Sequence, residues 1–307
     1  MSSDGLLSIG ELAERAGTTV KTVRHYSDRG LLPEAGRSSG GHRRYGPEAL
    51  DRLRLIRSLR TLGLPVPEVE RALDRDDALE EVVTGQLRKV GSQLAALRWR
   101  EASLTLLRDC SAEERAERLR LVGAVPAPPD TAALVRFWRR ILPARLPGRV
   151  VSTVLDSVVP GLPREPSPGQ VLAFARLHAL VTDPRLDRVE FRSAPPLPAG
   201  TYRPEVLYEE LAVAYASASS AQRAGLAPGD GEALDCFVSA YAQASGVPDT
   251  PAFRQRLVGL LARSGGPVIQ RYWKLAGGLF APDEPVLGAL HHHLSVALQA
   301  QVTGRTD

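Results

Sequence analysis

Residues 8–45 read SIGELAERAGTTVKTVRHYSDRGLLPEAGRSSGGHRRY, and this stretch decides the fold of the N-terminal part of the chain. Ser8 followed by Glu11 is a capping box, in which each side chain takes up a backbone N–H that the helix itself leaves unpaired. It opens a helix whose apolar face is Ile9, Leu12 and Ala13. Gly17 ends that helix, Thr18 can cap a second one running to about Arg29, and Gly30 stops it. Helix, tight turn and helix in immediate succession make a helix-turn-helix. Between Arg15 and Tyr45, seven Lys or Arg side chains stand against two carboxylates, Asp28 and Glu34. A basic excess clustered on one helix and one glycine-rich loop marks a phosphate binder, and so points to DNA.

Working outward, Pro33, Gly36, Gly40 and Gly41 break any periodicity after the second helix. Pro47 opens a third helix with Leu50, Leu53, Ile56 and Leu59 at helical spacing, ended by Gly63 and Pro65. Pro67 to Leu73 predicts a short fourth. A longer helix is expected from about Asp77 to Arg108. In it Val83, Leu87, Val90, Leu94, Leu97 and Leu104 form an apolar stripe in steps of three and four. That stripe fits the seam of a coiled coil, and it also fits one amphipathic helix packed on its own domain. Gly85 and Gly91 weaken it by about 1 kcal/mol each relative to Ala.

Ser111 and Glu114 form another capping box, and VPAPPD at Val125–Asp130 is the best domain boundary. Beyond it, helices are expected over Thr131–Leu142, Pro168–Val181, Glu205–Ser219, Glu232–Ala244, Pro251–Ala262 and Pro285–Gln301. Only Arg188–Arg192 alternates like a strand. The fold class is therefore mainly α, divided as a DNA-binding domain over 1–75, a long helix over 76–110, a linker over 111–130 and a mostly helical domain over 131–307.

With 43% hydrophobic and 24% charged residues, the 307-residue chain has the composition of a soluble globular protein long enough for two cores. No apolar run approaches the roughly 20 residues of a membrane-spanning helix, and no secretory signal is visible, so no membrane partner is expected and the cytoplasm is the expected location. Cys110 and Cys236 are the only cysteines, which excludes a disulfide framework and a cysteine-based metal site within one chain. No cofactor is implied.

The motifs S-I-G-E-L-A-E-R-A-G (Ser8–Gly17), T-V-R-H-Y (Thr22–Tyr26), G-L-L-P (Gly30–Pro33), G-H-R-R-Y (Gly41–Tyr45) and L-I-R-S-L-R-x-L-G-L (Leu55–Leu64), in this order, resemble the winged-helix DNA-binding domain of MerR-type transcription regulators. The resemblance covers about residues 6–110. It implies that the second helix enters the major groove of double-stranded promoter DNA, with Thr19, Lys21, Thr22, Arg24, His25 and Tyr26 on the DNA-binding surface. It also implies a wing whose Arg37, His42, Arg43, Arg44 and Tyr45 bind the backbone. Two positions depart from the family pattern: His25 replaces the first of a tyrosine pair, and Ser27 a glutamate. Carried over from the family are a homodimer, joined by an antiparallel coiled coil through Val83, Leu87, Val90, Leu94, Leu97 and Leu104, and distortion of a long promoter spacer so that RNA polymerase holoenzyme can engage it.

The resemblance ends before residue 125. Metal-sensing relatives use cysteines flanking the long helix; here Asp76 and Asp77 stand at its start, and Cys110 has no nearby partner. Thirteen of the sixteen aromatic residues lie beyond Val125. Trp138, Tyr208, Tyr215, Phe237, Tyr241, Tyr272 and Trp273 are candidates for a site taking a small hydrophobic or cationic ligand, with Glu209, Glu210 or Asp235 to suit a cation. The alternative for each ring is simple core filling. Control by a protein partner, or no signal at all, fits the sequence too. His291, His292 and His293 cannot converge on one metal from a helix, because successive side chains point about 100° apart. Gly36–Gly40, G-R-S-S-G, has the letters of a hydrolase elbow but lies where a wing is expected, not between a strand and a helix; no enzyme is expected.

Overall fold

A computed structural model describes residues 5–75, 77–188, 202–226, 231–264, 266–280 and 286–304. The contacts divide the chain into two compact units, Met1–Gln93 and Leu94–Asp307.

In the first unit, β1 (Leu7–Ser8) leads into α1 (Ile9–Arg15) and α2 (Val20–Asp28), and β2 (Gly36–Arg37) and β3 (Arg43–Tyr45) make the wing. The sheet is antiparallel in the order β1-β3-β2, with Leu7 opposite Tyr45 and Arg37 opposite Arg43. Helices α3 (Pro47–Thr61) and α4 (Val66–Asp74) follow. The Ser8–Glu11 capping box forms, with the Ser8 N–H donating to Glu11 Oε2 at 2.7 Å; that bond holds the Glu11 carboxyl below its usual range. The cap of α2 is Thr19, one residue later than expected. Gly17 adopts the left-handed φ of 62° that the tight turn needs, and the Thr18 N–H is used in closing it on the Ala13 carbonyl. Leu12, Val23, Tyr45, Leu53, Ile56 and Val69 fill the core.

Three arginines of α3 are structural. Arg52 donates to the Leu31 carbonyl at 2.7 Å, Arg57 to the Ala16 carbonyl, and Arg60 to the Leu64 carbonyl at 2.6 Å. Ala16 and Leu31 follow the ends of α1 and α2, where carbonyls lack helical partners. Charge-assisted bonds to them tie the helix-turn-helix to α3.

The long helix α5 spans Ala78–Arg108. Its apolar stripe, Val83, Leu87, Val90, Leu94, Leu97 and Leu104, is exposed along its whole length, with Leu87 67% accessible. By contrast Trp99, Ala102 and Leu106, on the same helix, are buried in the second unit.

The stretch expected as a linker over 111–130 is largely helical, a correction to that reading. Helix α6 (Ala112–Gly123) is opened by the Ser111–Glu114 capping box, and Leu121 and Val122 pack on the core of the second unit. That unit continues with α7 (Ala132–Ile141), α8 (Gly148–Val158), α9 (Pro168–Val181), a short 3-10 turn (Pro184–Arg188), α10 (Pro204–Arg223), α11 (Glu232–Ser245), α12 (Pro251–Ser264), α13 (Pro267–Ala276) and α14 (Leu287–Thr303). The protein is thus mainly helical, as the periodicity predicts. Helices α8 and α13 are additions: α8 is rich in β-branched Val150, Val151, Thr153 and Val154, which lowers helix propensity until packing overrides it. The expected strand over Arg188–Arg192 lies outside the described residues apart from Arg188, as does Asp76.

Two cores fill the second unit. One gathers α5, α7, α8, α9 and α13 around Phe137, Phe174 and Tyr272; the other gathers α10, α11, α12 and α14 around Phe237, Phe253 and Leu294.

Candidate functional sites: a nucleic-acid surface and an aromatic cavity

On α2, Val23, Tyr26 and Ser27 face inward, and Lys21, Arg24 and His25 are exposed. The α2 N-terminus is fixed by Thr19, whose hydroxyl accepts the Thr22 N–H at 3.2 Å and lies 2.9 Å from the Thr22 hydroxyl. Both threonines are therefore engaged with the cap. Lys21 and Arg24 reach no carboxylate among the described residues, so their charge is available to a partner.

The wing is braced from within. Ser27 Oγ accepts from the Tyr45 hydroxyl at 2.8 Å and from Arg43 Nη1 at 3.1 Å. Arg43 is further paired with Asp28 and, at 2.7 Å, with Glu34; the hydrogen bond to Asp28, aided by Glu34, raises its pKa and keeps it charged. These contacts correct two expected phosphate contacts. The Tyr45 ring is wholly buried and its hydroxyl proton is spent on Ser27, while the Arg43 guanidinium is already shared between two carboxylates. Their geometry positions β3 against α2. Tyr26 likewise has its ring in the core. Arg37, 3.5 Å from Glu34, His42 and Arg44 are the wing side chains left with surface.

The G-R-S-S-G stretch forms the wing tip. The Ser38 N–H donates to the His42 carbonyl at 2.8 Å, Ser38 Oγ accepts the His42 N–H at 3.2 Å, and Gly41 turns the chain with φ 78°. Ser38 thus closes a hairpin and has no strand-to-helix elbow behind it. Sequence reasoning missed Ser27, Arg52 and Arg57 as organisers, since nothing in an arginine's spacing separates a bond to a buried carbonyl from a bond to a phosphate.

In the second unit, a cavity of about 1200 Å³ is lined from both cores. Five of the seven predicted aromatics line it: Trp138, Tyr208, Tyr215, Tyr241 and Trp273. Phe237 and Tyr272 do not, which corrects their assignment. Phe237 is fully buried edge-on against Tyr241, and Tyr272 stacks on Phe137 while its hydroxyl donates to the Val158 carbonyl at 2.8 Å. Of the three candidate carboxylates, only Glu209 lines the cavity, and Arg149 holds it at 2.7 Å. Asp235 is instead bound to Arg254 at 3.0 Å.

The sequence did not single out His291 for this site. It lines the cavity, with Nδ1 2.8 Å from the Tyr215 hydroxyl. Enclosure, reinforced by neighbouring His292, lowers its pKa to about 4, so it is neutral at pH 7. Burial raises the Tyr215 pKa and, to about 12, that of Tyr208, so both hydroxyls keep their protons. The Tyr215 proton has Nδ1 as its partner among the described residues. We therefore assign Tyr215 as donor and leave the imidazole N–H on Nε2.

A helical core built from α1 to α4 with an inserted β-wing, a capped and basic second helix and a wing braced against it define the class of the first unit: a winged-helix, helix-turn-helix DNA-binding domain. Residues 7–76 match the family described as MerR HTH family regulatory protein. Among its relatives, nodulation protein NolA of a Bradyrhizobium species is 41% identical over 87 residues, which is 28% of this chain and 37% of NolA. The transcriptional activator TipA of Streptomyces coelicolor is 51% identical over 67 residues, 22% of this chain and 26% of TipA. The mercuric resistance operon regulatory protein of Bacillus cereus is 40% identical over 73 residues, 23% of this chain and 55% of that protein. The alignments with NolA and TipA span less than half the length of those relatives.

Proposed function

We propose that the chain is a MerR-type transcription regulator without catalytic activity. In this reading it binds a two-fold promoter element as a homodimer and distorts the spacer for RNA polymerase holoenzyme, and a small molecule in the second unit controls it. The division of labour we assign is DNA binding in 1–75, dimerisation in 76–110 and effector binding in 131–307. The observation that carries the reading is the exposed cationic pair Lys21 and Arg24, without a carboxylate partner among the described residues, on a helix whose opposite side is locked into the core. Such a helix can present base-reading and phosphate-binding side chains to the major groove. Arg44, on β3, is a second source of positive charge, on the wing.

The exposed stripe of α5 supports the dimer. Leucines and valines left open along a long helix lose the hydrophobic stabilisation that a second copy would supply. The aromatic cavity supports ligand control, because sites for small molecules are enclosed, largely apolar and furnished with a few polar groups.

Footprinting on DNA upstream of the protein's own gene, with the full-length protein, tests the reading. Arg24→Ala is expected to weaken protection and to reduce the slope of log affinity against log salt by about 1, with the melting temperature unchanged. Unaltered protection in Arg24→Ala and Lys21→Ala would remove α2 from the DNA surface. Copurification with a stoichiometric protein, together with a footprint indifferent to small molecules, would favour control by that partner.

A further inference from the structure

The cavity in the second unit has walls that say what it would hold, and this inference rests on the effector reading just given. Tyr241 is 6% exposed, its hydroxyl has no hydrogen-bond partner among the described residues, and it opens on the cavity. Tyr208 also lines the space with a hydroxyl unpartnered among those residues. His291, turned by its bond to Tyr215, offers Nε2–H. All three are hydrogen-bond donors at the cavity wall, and the Trp138 Nε1–H in the same lining is buried with no partner among the described residues. An occupant that supplies acceptors can take bonds from such groups, and a buried donor without an acceptor is costly.

Charge is confined elsewhere. The acidic and basic side chains in the lining, Arg149, Asp156 and Glu209, are all at exposed positions, and two of them are paired. The inner wall is tyrosine, tryptophan, neutral imidazole and aliphatic carbon. Bringing a cation to that inner wall would strip its hydration, and the lining carboxylates, Asp156 and Glu209, stand at exposed positions.

We propose that the cavity takes an uncharged, polycyclic aromatic compound bearing carbonyl oxygens, which accept hydrogen bonds from Tyr208, Tyr241 and His291 while the rings lie against Trp138 and Trp273. This replaces the expectation of a cationic ligand. The cavity's volume of about 1200 Å³, above the roughly 300–1,000 Å³ of most small-molecule pockets, admits a fused-ring system with substituents.

Two probes with one skeleton separate the possibilities: 10-methylacridone, neutral with a ring carbonyl, and 10-methylacridinium, its cationic counterpart without one. Binding to the full-length protein is followed by equilibrium dialysis and by tryptophan emission, since two of the three tryptophans line the cavity. The acridone is expected to bind saturably and tighter than the acridinium. Tyr241→Phe and Tyr208→Phe, which keep the ring, are each expected to weaken acridone binding about three- to ten-fold, the worth of one hydrogen bond. Anthracene, with no acceptor, should be indifferent to both substitutions. Equal or tighter acridinium binding, acridone affinity unmoved in both variants, or no binding of either probe would overturn the inference. A footprint that persists while neither probe binds leaves the regulator reading standing and removes this one. Bound acridone with an unchanged footprint keeps this one and removes ligand control.

Discussion

The two units treat their polar side chains in opposite ways. In the winged-helix unit nearly every inward polar group has a partner: Tyr45 and Arg43 meet on Ser27, and Arg52 and Arg57 close on the carbonyls that follow α1 and α2. In the helical unit the Tyr208 and Tyr241 hydroxyls stand unpartnered, among the described residues, around a large void. A small domain with a thin core gains rigidity from satisfied polar bonds, which hold a surface in one shape. The larger one has core to spare and leaves donors open, the condition for a site filled from outside.

The largest test concerns α5, the helix that supplies both units. Charges at the centre of its exposed stripe, Leu94→Glu with Leu97→Glu, should abolish the dimer and the two-fold footprint, read by sedimentation and footprinting, with helical content kept. A dimer that survives would mean the stripe is no interface. Next in size, Leu53→Ala in the tight first core should cost about 2–5 kcal/mol in denaturant melts and remove DNA binding with it.

Acid should weaken the second unit selectively. Because the folded pKa of His291 is depressed, to about 4 against an unfolded value near 6.5, the folded state binds fewer protons. Stability is therefore full above about pH 6.5 and falls as pH drops toward 4, by about 2–3 kcal/mol at the lower limit. His291→Gln should flatten that part of the pH profile; an unaltered profile would mean that another group titrates.

The smallest test is the sharpest. Tyr45→Phe should destabilise by about 1–2 kcal/mol, because it deprives a buried hydroxyl network of a donor. Tyr241→Phe should leave stability within about 0.5 kcal/mol, since its hydroxyl bonds to no other described group. Equal costs would erase the contrast between the units.

Much of the first unit is legible in its amino-acid sequence. Capping boxes, glycines at turns and a heptad-like stripe are local signals, set by neighbours three or four residues away. The site is legible only in part. The helical period of α2 puts Lys21 and Arg24 at the surface, but Arg43 and Tyr45 look the same in sequence whether they touch phosphate or Ser27. In the second unit aromatic content points to Trp138, Tyr208, Tyr215, Tyr241 and Trp273, yet it cannot exclude Phe237 and Tyr272. A ring in a core and a ring in a cavity wall sit on the same helical period.

By itself, the sequence determined the helix-turn-helix, its wing and the mainly helical character of the chain, because backbone hydrogen bonding and side-chain periodicity act over a few residues. Tertiary structure alone decided which arginines are spent on carbonyls and carboxylates, that α8 and α13 are helices, and that His291 meets Tyr215 across 76 positions of chain at the wall of a cavity. Those outcomes depend on which distant surfaces come together, and on the burial that then fixes charge and hydrogen bonding.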